Sequence, residues 1–282
     1  MAIQAIKKIS RKKSALIPAF CAVTFMLLSG CDDSEDSGTG TLTVTIWGEE
    51  FIEQGIPATE FADGYGISYE KFLVNLENVS VAAADDAPAL QSVPAKIWDV
   101  SKVGPTVIVS AVVNEDDYTH TAYTIAPANT ESVAGNADAA DVAMMQQNGY
   151  SIYVEATVTN GSVTKHFAWG FNTTTRYDPC HSLGVLEKDG NATVQITIHG
   201  DHLFYDSAQS TDPALRFADL ALADTNNDGD ITQTELTGYP IDGLQYYTVG
   251  NMTEITNMWQ YLSYMVTTVG HIDGENHCET TP

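Results

Sequence analysis

The chain has 282 residues, of which 44% are hydrophobic, with 37 acidic against 12 basic residues and a formal net charge of −25. That is ample apolar material for a core. The negative field, with no basic patch anywhere, excludes nucleic acid and anionic lipid headgroups as partners and favours cations.

Residues 1–30 join a basic start (Lys7, Lys8, Arg11, Lys12, Lys13) to an apolar run over 15–28 and then to small residues, the pattern of a secretory signal rather than a spanning helix. Its end, Leu28-Ser29-Gly30-Cys31, resembles a bacterial lipobox. That resemblance implies that Cys31 becomes the first mature residue and carries lipid, giving stable attachment to a membrane of the cell envelope, with the leaflet left open. Residues 31–41 are too polar to bury anything and read as a tether of roughly 17 Å root-mean-square length. All 37 acids lie beyond the leader, so its loss leaves 7 basic residues and a net charge of −30.

Eight segments rich in β-branched and aromatic residues follow, at 42–47, 69–82, 96–100, 106–113, 118–125, 150–159, 163–171 and 193–199. They predict an antiparallel β-sandwich over 42–200. Asn160-Gly161 predicts a two-residue hairpin with Val154 opposite Phe167, Ile152 opposite Trp169 and Glu155 opposite His166. The buried face then collects Ile152, Val154, Val158, Val163, Phe167 and Trp169. On the other face His166 is a solvated neighbour, not a ligand. A short helix is expected over 138–147, and 83–94 and 126–135 read as loops. The segment Trp47-Gly48-Glu49-Glu50-Phe51 through Asp63-Gly64-Tyr65 resembles one that recurs in bacterial lipoproteins, and it carries no assigned role. No internal repeat is present.

The carboxyl-terminal part, 201–282, is expected to form a helical layer on the sandwich. Asp212 and Pro213 predict a helix to about Ala223, with Phe217, Leu220 and Ala221 on one face. Then comes D-T-N-N-D-G-D-I-T-Q-T-E, residues 224–235. Oxygen side chains fall at loop positions one, three, five, nine and twelve (Asp224, Asn226, Asp228, Thr232, Glu235), with Gly229 at the sharp turn, the Asp230 carbonyl at seven and Ile231 aimed at the core. This run resembles the EF-hand calcium loop, which implies a Ca2+ ion held by those six residues. After it, Gly238 and Pro240 leave barely one turn of helix, and no second such loop exists to pair with it. The ion is therefore expected to be structural rather than a switch, with an affinity on the order of 10⁻⁴ to 10⁻³ M. A last helix is expected over 252–269, capped by Asn251, with a Met and aromatic core stripe.

Of four cysteines, Cys21 leaves with the leader and Cys31 is taken by lipid, so Cys180 and Cys278 are expected to form a disulfide in an exported protein. The bridge would draw His181 and His277 toward one region. With His199, His202 and His271, five of the seven histidines lie in this late stretch. His199, His202, His271 and His277, with Asp201, suit a transition metal such as copper or zinc, provided that Gly200 kinks the chain so that His199 and His202 share a side. The chain has no nucleophile elbow, phosphate loop, dinucleotide fingerprint or zinc-protease helix, and so is read as a non-enzyme. The reading is a lipid-anchored envelope protein that binds or adapts an unknown protein or small ligand and carries structural calcium. A transition-metal-binding or acquisition lipoprotein is the first alternative, and an envelope hydrolase built on Asp201 and His202 the second.

Overall fold

The computed structural model describes residues 38–84, 86–92 and 94–281, which belong to the compact unit 37–282. The leader, Cys31 and most of the tether lie outside the described residues. The strands are β1 (Thr39–Trp47), β2 (Gly66–Ala82), β3 (Leu90–Ser92), β4 (Lys96–Asp99), β5 (Thr106–Asn114), β6 (Asp116–Ile125), β7 (Val133–Ala134), β8 (Ile152–Asn160), β9 (Val163–Phe171), β10 (Thr175–Leu186), β11 (Asn191–Ile198), β12 (Gly270–Ile272) and β13 (Cys278–Thr281). The helices are α1 (Glu49–Glu53), α2 (Ala139–Asn148), α3 (Ala218–Leu222), α4 (Gln233–Gly238) and α5 (Met258–Met265).

The fold is mainly β and contains two mixed sheets. One runs β12-β11-β1-β5; the other runs β13-β10-β6-β2-β4-β7, with β3 and β8 also on β2 and β9 on β8. The expected antiparallel arrangement is corrected at two joins, because β1 lies parallel to β11 and β4 parallel to β7. Inward residues of both sheets meet in one core, among them Leu42, Val44 and Ile46 of β1, Phe72 and Val74 of β2, and Val194 and Ile196 of β11. Such burial of branched side chains from facing strands is what drives two sheets together. A smaller core, Leu73, Ile97, Ala128, Ala137 and Met145, seats α2 on the outer face. The seventeen-residue β2 is the spine, pairing first with β8 and then with β6. At the changeover the buried Asn75 donates Nδ2 to the carbonyl of Ala126 at 2.8 Å, so the exchange of partners leaves that carbonyl paired.

The β8–β9 hairpin forms two residues out of the expected register. Its loop is Gly161-Ser162, with Asn160 opposite Val163, Val154 opposite Trp169, Ile152 opposite Phe171 and Thr157 opposite His166. Gly161 at φ 61° takes the first turn position, which suits a type II′ turn. A two-residue shift keeps every side chain on its face, so Ile152, Val154, Val158, Phe167 and Trp169 are buried as expected. Val163 is the exception, 42% exposed at the hairpin tip. His166 is exposed and bonds Thr157, not Glu155.

Helices α3 and α5 are shorter than their apolar spacing predicts. Asp63, far upstream, accepts the backbone N–H of both Phe217 and Ala218 at 2.8 Å, so α3 starts there and not at Asp212. Asn257, accepting from the N–H of Gln260, starts α5 six residues beyond the expected cap. Strand β10 was hidden by Pro179 and Gly184, residues depleted in strands, which sit at the two places where its ladder to β6 slips. The supposed loops 83–94 and 126–135 contain β3 and β7. Both β12 and β13, from the carboxyl-terminal part, are strands of the two sheets, and Cys180 is bonded to Cys278 where β10 meets β13. Among the described residues no helix is long and apolar enough to cross a membrane.

The bridge spans a sequence separation of 98 residues, so its removal frees a long loop in the unfolded chain. A Cys180→Ser, Cys278→Ser double variant is expected to lose about 2–4 kcal/mol of unfolding free energy, read from urea unfolding with its own fitted slope, which the freed unfolded chain should steepen.

Candidate metal centre

The pairing of β1, β11 and β12 assembles the site. Trp47 stands beside Thr197 on one side, and His271 stands beside Thr197 on the other. Two residues past that rung, the parallel neighbours deliver Glu49 and His199 to the same end of the sheet. Gly200 then turns the chain to φ −73°, ψ −25° into a 3₁₀ turn, Asp201–Phe204. The kink expected of Gly200 is thus present, and it is packed tightly: a Cβ there would lie 2.7 Å from Ile52 and 2.9 Å from the Tyr69 hydroxyl. That hydroxyl donates to the Gly200 carbonyl at 2.9 Å.

His199, His202 and His271 are all buried, with ring centroids separated by 5.3 Å (His199–His202), 4.2 Å (His199–His271) and 5.0 Å (His202–His271). The exposed His277 lies 4.8 Å from His271, with the ring planes tilted by 58°. His181 does not join them; it lies on an exposed rung of β10 opposite His120, because its neighbour Cys180 takes the inward face. Sequence reasoning missed Glu49 and Glu275. Glu49 lay in the unassigned Trp47–Phe51 segment, and only the β1–β11 pairing brings it to His199.

Hydrogen-bond partners fix the tautomers. The Gly274 carbonyl can only accept, so His199 Nε2 donates to it at 3.4 Å, and in the neutral ring Nδ1 then carries the lone pair. That nitrogen faces Glu49 Oε2 at 3.7 Å, Glu275 Oε1 at 3.9 Å and Asp201 Oδ1 at 4.0 Å. Thr268 gives its hydroxyl hydrogen to the Met265 carbonyl, so it accepts from His202 Nδ1 at 3.0 Å and leaves Nε2 of that ring as an acceptor. His271 Nδ1 is buried with no partner. Donor atoms of His199, Asp201 and His202 lie within 4.8 Å of one another, as do those of His199, His271 and Glu275. The described residues therefore contain a His/Asp/Glu group able to hold a metal ion. Asp201 does not orient His202 for acid–base work, since its Oδ2 accepts the Tyr205 hydroxyl at 2.9 Å.

Electrostatics agree with a site for a cation. Burial, reinforced by Glu275, Glu50 and Asp201, pushes the Glu49 carboxyl above its usual range against the pull of His199. Burial lowers His202 to about 4, and burial with the neighbouring imidazoles lowers His271 to about 3. Both rings are neutral near pH 7, the form that ligates metal.

The loop 224–235 is the second cluster. Gly229 turns at φ 94°, its N–H donating to Asp224 Oδ2 at 3.0 Å, and the N–H of Asp228 and Asp230 donate to Asn226 and Asp228. Lys165 pairs with Asp224 and holds its carboxyl below the usual range. Thr232 and Glu235 form a reciprocal capping box that starts α4, six residues long where barely a turn was expected. In place of a second loop, β9 pairs with the turn: His166 donates to the Gly229 carbonyl at 2.9 Å and accepts from Ile231 at 2.8 Å. Asp224 Oδ1 and Glu235 Oε1 are buried without a hydrogen-bond partner.

Because His202 and His271 refuse protons that the unfolded chain accepts below pH 6.5, the metal-free protein should lose stability as pH falls through that value. The expected slope between about pH 6.5 and 5 is up to about 1.4 kcal/mol per unit for each ring, and His271→Asn should remove its share, as read by urea unfolding. No family model matches the chain, and no curated protein or solved structure matches it either, so function has to be argued from this geometry.

Proposed function

We propose that the protein is an exported metal-binding protein of the bacterial cell envelope, holding one divalent transition metal, copper or zinc, through His199 together with either Asp201 and His202 or His271 and Glu275. The observation that carries this reading is the convergence of imidazole nitrogens and carboxylate oxygens around three buried histidines, with His271 Nδ1 left without a hydrogen-bond partner. Buried acceptors facing one another are costly unless a cation or proton stands between them. Imidazole with carboxylate suits copper(II) and zinc(II), and the disulfide removes thiolate from the choice. A scaffold carrying calcium alone would leave these histidines without a role. The bridge, the leader and the lipobox-like Leu28–Cys31 support export and attachment through Cys31.

Metal-free protein titrated with Cu2+ and Zn2+ is expected to take up one equivalent tightly. A His199→Ala, His271→Ala double variant should bind about 100-fold or more weakly while keeping its circular dichroism. Unchanged binding in that variant would falsify the assignment.

A structural calcium ion in the loop 224–235 is proposed alongside it, on the evidence of the orphaned Asp224 Oδ1 and Glu235 Oε1. With an affinity on the order of 10⁻⁴ M, 10 mM Ca2+ should stabilise the fold by about 2.7 kcal/mol. The thermal midpoint should rise accordingly in the parent and stay fixed in Asp228→Ala. Equal midpoints for the parent in calcium and in EGTA would refute the ion.

A further inference from the structure

A cleft of about 440 Å³ opens beside the histidines. Its lining includes His202, His271, Glu275 and His277, and also the exposed Ser210 and Thr211. His199, Asp201 and Glu49 are absent from its lining, although the donor atoms of His199 lie within 4.8 Å of those of the lining residues His271 and Glu275. A cation among these groups is thus gripped from the protein side and faces the cleft with the other. Each donor group gathers only three residues, either His199, Asp201 and His202 or His199, His271 and Glu275. Three protein donors make an incomplete shell for copper or zinc. Structural sites close with four, and a site with three keeps one position for water or an incoming ligand.

The charge around the site narrows what can enter. Among the described residues, none of the ion pairs gives Glu49, Asp201 or Glu275 a Lys or Arg partner; their contact is His199. A divalent ion beside three carboxylates leaves the neighbourhood with one net negative charge, which opposes a further anion and is indifferent to a neutral donor. At about 440 Å³, with Ser207, Ser210 and Thr211 in its lining beside Tyr205 and Pro213, the cleft has room for a five-membered ring.

Resting on the metal-binding reading above, we infer that the cation keeps one exchangeable position on the cleft side, and that this position takes a neutral nitrogen donor, such as the imidazole of a metal-carrying peptide. The site would then be one of transfer, where metal is handed over through a shared ligand, rather than a closed structural centre.

Copper(II)-loaded full-length protein, with its metal content measured first, should be titrated with free imidazole and followed by electron paramagnetic resonance. A saturable change of the signal with copper still bound is expected, and azide should need about tenfold or higher concentration for the same occupancy. Thr211→Trp, which fills the exposed rim, should retain copper and weaken the imidazole response by about tenfold or more. Copper that binds but ignores excess imidazole, or an equal response in Thr211→Trp, overturns the exchangeable position while leaving the metal site standing. Azide binding as readily as imidazole overturns the neutral-donor assignment. Protein that takes up neither copper nor zinc sinks the metal-binding reading and this inference with it.

Discussion

The parallel alignment of β1 with β11 is the constraint on which the centre depends. Antiparallel partners would send their following residues to opposite ends of the sheet. Here Trp47 and Thr197 share a rung, so the chain after each emerges at the same end, one supplying Glu49 and the other His199. The short β12, on the far side of β11, adds His271 at the height of Thr197. Three distant stretches of sequence are thus fixed by backbone hydrogen bonds before any side chain has to find its place.

Tyrosines secure the third stretch. Tyr123 and Tyr177 stack with centroids 4.6 Å apart and donate to the carbonyls of His271 and Thr267. Gly270 lets them approach, since a Cβ there would meet the Tyr177 ring at 2.6 Å. On the following turn Asp273 accepts from the N–H of Leu183 and Gln195, both at 2.8 Å, which places Gly274 and Glu275 over His199. These anchors come from the large sheet as well as the small one, so His271 on β12 and the turn that follows it are tied to both sheets.

Chemistry was legible in the sequence where it depends on residue type, and geometry was not where it depends on long-range pairing. Cys180 and Cys278 could be joined because few thiols remained, and the four late histidines stood out by kind. Glu49 could not be found, because nothing local marks one glutamate among so many acids. Alternation exposed the buried face of β8 and β9, yet the hairpin register missed by two because Gly161, not Asn160, opens the turn. Strand β10 was invisible for a related reason: Pro179 and Gly184 are tolerated only because the ladder slips at both. The helix starts failed because Asp63 and Asn257 outcompete the caps nearest in sequence.

The indole of Trp169 is fully buried and donates its Nε1–H to the carbonyl of Ile231 at 2.8 Å, inside the acidic turn that β9 clasps. Its ring also stacks on Phe167, with centroids 3.7 Å apart. The polypeptide thereby carries its own optical gauge. A shift in the backbone of that turn alters the hydrogen bond, and hence the emission, of a chromophore sealed from solvent.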